Sequence, residues 1–301
     1  MKGKFSAFFV LFAAMLWGTT GTAQIFAPEA AHPIAIGAAR LAVGGLSLLI
    51  VVLILGQLNL KNWPMKATVL AALSMAFYQP LFFSAVTMTG VAVGTVIAIG
   101  SAPILSGVLE WLFLKKRPTN VWWVSTGLSI LGCLMLFSNK QSVNIEPAGI
   151  LMALGAGLSF ASYTLVSEKL VRNYSSLSVV AVVFTLSALF LSPFLFLYEM
   201  SWMMSFQGIA VSLHLGIVTT GISYFLFAKG LRNVPSSTAV TLSLAEPLTA
   251  ALLGVFLVGE KLSFISWFGI SLLIIGIGLL VFSSSKPKKQ RHPQLAVEKE
   301  F

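Results

Sequence analysis

Ten apolar runs of roughly 20 residues, separated by short polar or charged breaks, constrain this chain more than any other feature. They fall at about 5–27, 33–55, 67–86, 91–113, 119–137, 147–167, 177–198, 207–228, 234–258 and 263–283. Each has the length needed to cross a hydrocarbon core about 30 Å thick. The 301 residues are 57% hydrophobic and 9% charged, whereas soluble domains carry about a quarter charged residues. The expected fold is an all-α integral membrane protein with ten transmembrane helices. Lys2 and Lys4 precede the first run, as in a signal peptide. The run is too long for an h-region and further spans follow, so it is expected to remain as an uncleaved first span.

Several chemistries are excluded by residue type. The acidic residues are all glutamate, so Asp-based metal sites, Walker-B carboxylates and Asp-centred triads have no residue to use. Cys133 is the single cysteine and reads as helix filler, without a disulfide or thiolate metal site. His32, His214 and His292 are far apart and form no HExxH spacing. No metal or cofactor is expected.

The basic residues give a direction. With the N terminus inside, the inner connections and the tail hold 16 of the 19 Lys and Arg residues, among them Lys61, Lys66, Lys115, Lys116, Arg117, Lys169, Arg172, Lys229 and Arg232. Outer connections hold only Lys140 and Lys261, while Arg40 lies within the second span. This asymmetry predicts that both termini are cytoplasmic in a plasma membrane, of the bacterial inner-membrane kind. The net charge of +10 then reflects orientation and contact with anionic lipids, densest in "KPKKQRH" (286–292). A nucleic-acid partner is not expected, because no basic domain or aromatic platform accompanies the tail.

A shift of 144 residues aligns 90–136 with 234–280 without gaps. Pro103 falls on Pro247, Trp123 on Trp267 and Gly132 on Gly276. Five spans per half is an odd number, so the halves are expected to point in opposite directions. The loops agree: basic "LKKRPT" (114–119) aligns with nearly neutral "VGEKLS" (258–263). The predicted organisation is one five-helix repeat over 1–143, a second, inverted one over 144–284, and a basic cytoplasmic tail over 285–301. Inverted repeats around a midplane site are a recurrent plan of secondary transporters.

Specific stretches carry a family likeness. "LWG" (16–18), "AARLAVGG" (38–45) and "SAPILSGVLEWLFLKKRPT" (101–119) stand in the first half. The second half has "ALGAGLSFASYTLVSEKL" (153–170) and "LAEPLTAALLGVFLVGEKLS" (244–263). Over nearly its whole length the chain resembles the EamA-type members of the drug/metabolite transporter superfamily. That resemblance implies a ten-helix carrier of small metabolites, mostly an exporter, with amino acids and their derivatives as frequent cargo. It also implies a cavity lined by spans 1, 3, 4, 6, 8 and 9, open alternately to each side. One departure is Lys115-Lys116, where the family often repeats Gly-Glu.

Among individual residues, Glu246 stands out. It lies about 18 Å into the ninth span at about 1.5 Å per residue, close to the midplane, and Ser243 and Thr249 share its helix face. Pro247 removes a backbone donor and frees carbonyls near Ser243 and Ala245, which polar groups or water would satisfy in a cavity. A carboxylate there can bind a substrate ammonium group or exchange a proton; the alternative is a static ion pair between helices. Arg40 and His214 reach similar depth as candidates for ion coupling or gating. Arg40 can equally snorkel outward, and for His214 a hydrogen bond between two helices is favoured over a proton relay. Tyr78 and Gln79 beside Pro80, Trp17 with Thr19 and Thr20, Ser159 and Tyr163, and Ser223 and Tyr224 complete the candidate lining. Each can also serve helix packing alone. Glu110 is expected to pair with Lys115 and Lys116 at the inner boundary.

The first functional reading is therefore a secondary carrier exporting small metabolites such as amino acids; an uptake carrier or exchanger for small amines or carboxylates is the alternative. The absence of a GxxxxGK[ST] loop leaves an ion or substrate gradient as the energy source. An intramembrane enzyme would need paired carboxylates, a zinc-ligand spacing or a nucleophile–base pair. A passive channel would give flux that does not saturate, and a scaffold none. A homodimer is compatible with the sequence.

Overall fold

The computed structural model describes residues 2–59, 61–138 and 146–284. Lys140 and the basic tail over 285–301 lie outside the described residues. Ten helices have the length and composition to span a membrane. They are α1 (Phe5–Ile25), α2 (Pro33–Ile54), α3 (Met65–Gly90), α4 (Val93–Leu114), α5 (Asn120–Phe137), α6 (Pro147–Asn173), α7 (Ser176–Leu197), α8 (Phe206–Leu231), α9 (Ser236–Val258) and α10 (Phe264–Ser283). No strand occurs among the described residues. Large apolar side chains such as Phe8, Leu53, Leu151, Phe268 and Phe282 face outward, while Ser, Thr, Ala and Gly dominate helix contacts. This is the arrangement expected of helices packed in lipid.

Local chemistry sets the boundaries. Pro33 and Pro147 occupy the first turns of α2 and α6, where a missing N–H costs nothing. Between α3 and α4 there is almost no loop: Gly90, at φ 80°, alone breaks a continuous helical run. Lys115 ends α4 in the left-handed region at φ 54°, and Gly259 ends α9 at φ 80°. These two residues are 144 apart, so the same helix-ending turn is built once with glycine and once with lysine. A left-handed residue other than glycine costs about 1 kcal/mol. Lys115→Gly is expected to stabilise the purified protein by about that amount, read as a raised unfolding temperature.

Packing between the halves is reciprocal. Helix α1 lies against α8 and α9, α6 against α3 and α4, α2 against α7, and α5 against α10. In α2–α7, Thr185 donates to the Gly45 carbonyl (3.2 Å) and Ser178 to that of Gln57 (2.9 Å), so the two helices run antiparallel. The α5–α10 contact is also antiparallel and repeats itself under the shift. A Cβ on Gly132 would meet the Gly269 carbonyl oxygen at 2.6 Å and the Leu273 nitrogen at 2.8 Å. One on Gly276 would meet the Ser125 carbonyl oxygen at 2.8 Å and the Ser129 nitrogen at 3.1 Å. Adding 144 to 125, 129 and 132 returns 269, 273 and 276.

Candidate functional site: a cavity between the halves

The cavity lies where helices from both halves converge, and its walls come in corresponding pairs. Trp17 of α1 and Phe160 of α6 line it, as do Tyr78 of α3 and Tyr224 of α8. From α4 and α9 come Ile99 with Ser243, and Ala102 with Glu246; each of these pairs is separated by 144 residues. Thr20, Ala98 and Arg40 complete the lining. Its volume is about 40 Å³, room for a few water molecules. The aromatic wall is continuous: the Trp17 ring lies 5.8 Å from Phe160 and 4.7 Å from Tyr224, and Tyr78 lies 6.0 Å from Phe160.

Glu246 reaches the cavity because α9 is broken beside it. The helix runs Ser236–Leu242, turns at Ser243 and Leu244, and resumes over Ala245–Leu253. Pro247 has no N–H for the Ser243 carbonyl, and that carbonyl instead accepts the Glu246 N–H at 2.9 Å. The tight turn, rather than cavity water, thus satisfies the carbonyl expected to be freed there. Ala245 keeps a side-chain donor in Thr249 (2.8 Å). The Glu246 carboxylate has neither a hydrogen bond nor an ion pair among the described residues.

Arg40 does not snorkel; it is 8% exposed and lines the same cavity. Its Nε donates to Thr220 Oγ1 (3.2 Å), and one terminal nitrogen donates to the Thr219 carbonyl and Oγ1 (both 3.3 Å). A π-helical stretch in α8, His214–Ile222, makes this seat. Both threonine hydroxyls spend their protons on one carbonyl, that of Leu215 (2.9 and 2.8 Å), which leaves their lone pairs for the guanidinium. Gly44 keeps α2 close enough, since a Cβ there would meet Thr220 at 2.6 Å.

Of the expected lining, Thr19, Gln79, Ser159, Tyr163 and Ser223 lie off the cavity wall, and so does His214, expected for coupling or gating. Gln79 is buried against Gly37 of α2, because the residue after Tyr78 is turned by about 100° around the helix, away from the cavity face of α3. Tyr163 sits behind the wall among Phe160, Phe184 and Tyr224. The Ser223 hydroxyl is tied down within α8 by donating to the Thr219 carbonyl (2.6 Å). His214 Nε2 lies 2.9 Å from Thr19 Oγ1. Thr19 donates to the Leu16 carbonyl, so His214 is the donor and the pair ties α8 to α1. Conversely, Phe160, Ala98, Ile99 and Ala102 had not been singled out. For Ile99 and Ala102 the 144-residue shift carried the signal, since they align with Ser243 and Glu246.

A second polar cluster closes one end of the bundle, where α4 and α6 finish and α9 begins. Glu110 accepts the Ser237 N–H (3.0 Å) and the Ser236 hydroxyl (3.4 Å). Glu168 accepts the Ser236 N–H (2.8 Å) and an Arg172 N–H, with Lys116 at 3.9 Å. The expected pairing of Glu110 with Lys115 and Lys116 is not found. The N–H groups that open α9 need acceptors, and Glu110, 4% exposed, faces them. Removing Glu168 by substitution with alanine would strip a buried N–H of its acceptor. An expected loss of about 2 kcal/mol would appear as a lowered unfolding temperature of the purified chain.

Comparison with known proteins agrees with this architecture. The EamA-like transporter family matches residues 4–138 and 147–282. The uncharacterized transporter YwfM of Bacillus subtilis (strain 168) is 54% identical over 296 residues, 98% of this chain and 99% of that one. The threonine/homoserine exporter RhtA of Escherichia coli (strain K12) is 28% identical over 222 residues, 70% of this chain and 74% of its own. A solved crystal structure superposes with a TM-score of 0.81 at 20% identity, covering 93% of this chain and 97% of that one. With a family match across both halves and a relative this similar along its full length, the chain belongs to the EamA-like transporter family.

Proposed function

We propose that this transporter is a secondary carrier that exports small metabolites, with amino acids and their derivatives as its cargo class. Its halves, 1–143 and 144–284, act as inverted repeats that rock about the cavity. The antiparallel α2–α7 and α5–α10 crossings and the paired cavity walls support this reading. Both termini face the cytoplasm of a bacterial inner membrane; the Lys and Arg distribution supports this orientation. The observation that carries the proposal is the Glu246 carboxylate, unpaired among the described residues and set at a helix break inside a cavity shared by both halves. An intramembrane carboxylate with neither a hydrogen bond nor a close ion pair is costly unless a cargo or proton meets it. The likeness to a threonine/homoserine exporter points to the same cargo class.

The test is reconstitution in liposomes with a labelled panel of amino acids, amines and carboxylates. Saturable counterflow of one or more amino acids supports the reading. Flux that rises linearly with concentration would mean a channel, and movement of no amino acid would remove the cargo class.

A further inference from the structure

We propose that Arg40 is the carboxylate anchor of this cavity, so that the cargo is a zwitterion held at both ends, its carboxylate on Arg40 and its ammonium on Glu246. The inference rests on the transport reading above and narrows it. Arg40 is a buried guanidinium within a membrane span whose hydrogen-bond partners among the described residues are neutral, Thr219 and Thr220. The ion pairs among the described residues both belong to Glu168. Arg40 and Glu246 therefore line one cavity without an ion pair between them. Each is held back from the other. The threonine seat in α8 fixes the guanidinium through Nε and one terminal nitrogen, leaving the other terminal nitrogen without a hydrogen bond among the described residues. The turn at Ser243–Leu244 fixes the start of the half-helix that carries Glu246.

Two opposite charges that share a low-dielectric site without touching compensate each other only in part, and one ligand bearing both charges closes the gap between them. An amine would leave Arg40 without a counter-charge. A dicarboxylate would set its second anion against Glu246. The aromatic wall formed by Trp17, Phe160 and Tyr224 is left for an apolar or short side chain. Arg40 is in this view a specificity-determining residue, distinct from a strut between α2 and α8.

The experiment uses the purified full chain. Binding of each of the twenty standard amino acids is measured, and the best binder is compared with its decarboxylated amine, its amide and its deaminated acid. The amine and the amide are expected to bind about a hundredfold more weakly than the amino acid. In Arg40→Gln that ratio collapses towards one, because the amino acid loses its anchor while the amine never had it; Arg40→Lys restores part of it. Unfolding temperature monitors the fold in each variant. A strut would weaken both ligands equally and leave the ratio unchanged, which overturns the proposal. So does an amine that competes as well as its amino acid in the parent, or a panel in which no amino acid binds. Saturable liposome flux of amines would remove the anchor and leave the carrier reading standing. Discriminating binding without any flux would keep the anchor and remove the carrier reading.

Discussion

Glu246→Gln protein in liposomes is expected to move cargo at about a hundredth of the parental rate or less, while inserting and folding as the parent does. The substitution keeps the size of the side chain and the turn made by Ser243 and Pro247, because that turn uses the backbone N–H of residue 246. What it removes is the one anion that lines the cavity. Without it neither an ammonium group nor a proton finds its acceptor, and Arg40 is left alone in the cavity. Parental flux with an unchanged pH dependence in the variant would show that the carboxylate has no part in transport. A matching loss of insertion or unfolding temperature would instead make Glu246 a structural residue.

Gly132→Val is the second substitution with a large expected effect, and it acts far from the cavity. The new Cβ would strike the Gly269 carbonyl oxygen and the Leu273 nitrogen, which are backbone atoms and cannot swing aside. Separating α5 from α10 to admit the side chain should cost about 3 kcal/mol. Gly276→Val inserts the same group against Ser125 and Ser129, the corresponding contact from the other half. The two losses should agree within about 1 kcal/mol, measured by unfolding of purified variants in one detergent. Unequal losses would mean that the two contacts are not equivalent. Because neither glycine lines the cavity, the surviving folded fraction should bind cargo normally.

The ten helices were legible because span length and loop charge are written directly in the chain. Their junctions were less so. Gly90 joins α3 to α4 with no room for a loop, and nothing but its positive φ marks the break. The site was legible where one helix carries its own anomaly: Glu246 next to Pro247 identifies itself. Arg40 did not, because its fate depends on α8, where the π-helical stretch turns Thr219 and Thr220 towards it. No local pattern in 214–222 announces that widening. Gln79 and Tyr163 show the converse. Each is a polar or aromatic residue at the right depth, and only the rotation of its helix decides that it faces a neighbour and not the cavity. Glu110 was assigned to the nearest cations in sequence, whereas the N–H groups opening α9, more than a hundred residues away, were closer in space.

The size of the cavity has a thermodynamic consequence for cargo recognition. A space of about 40 Å³ holds a few water molecules, and a cargo bulkier than those waters together needs more room. Such a cargo would bind to a wider member of the conformational ensemble, and its apparent affinity would equal the intrinsic affinity scaled down by the population of that member. On the proposed reading of Arg40 and Glu246, the dissociation constant of a zwitterionic cargo would include the work of parting the walls. A substitution that props the walls open would tighten binding without adding a contact.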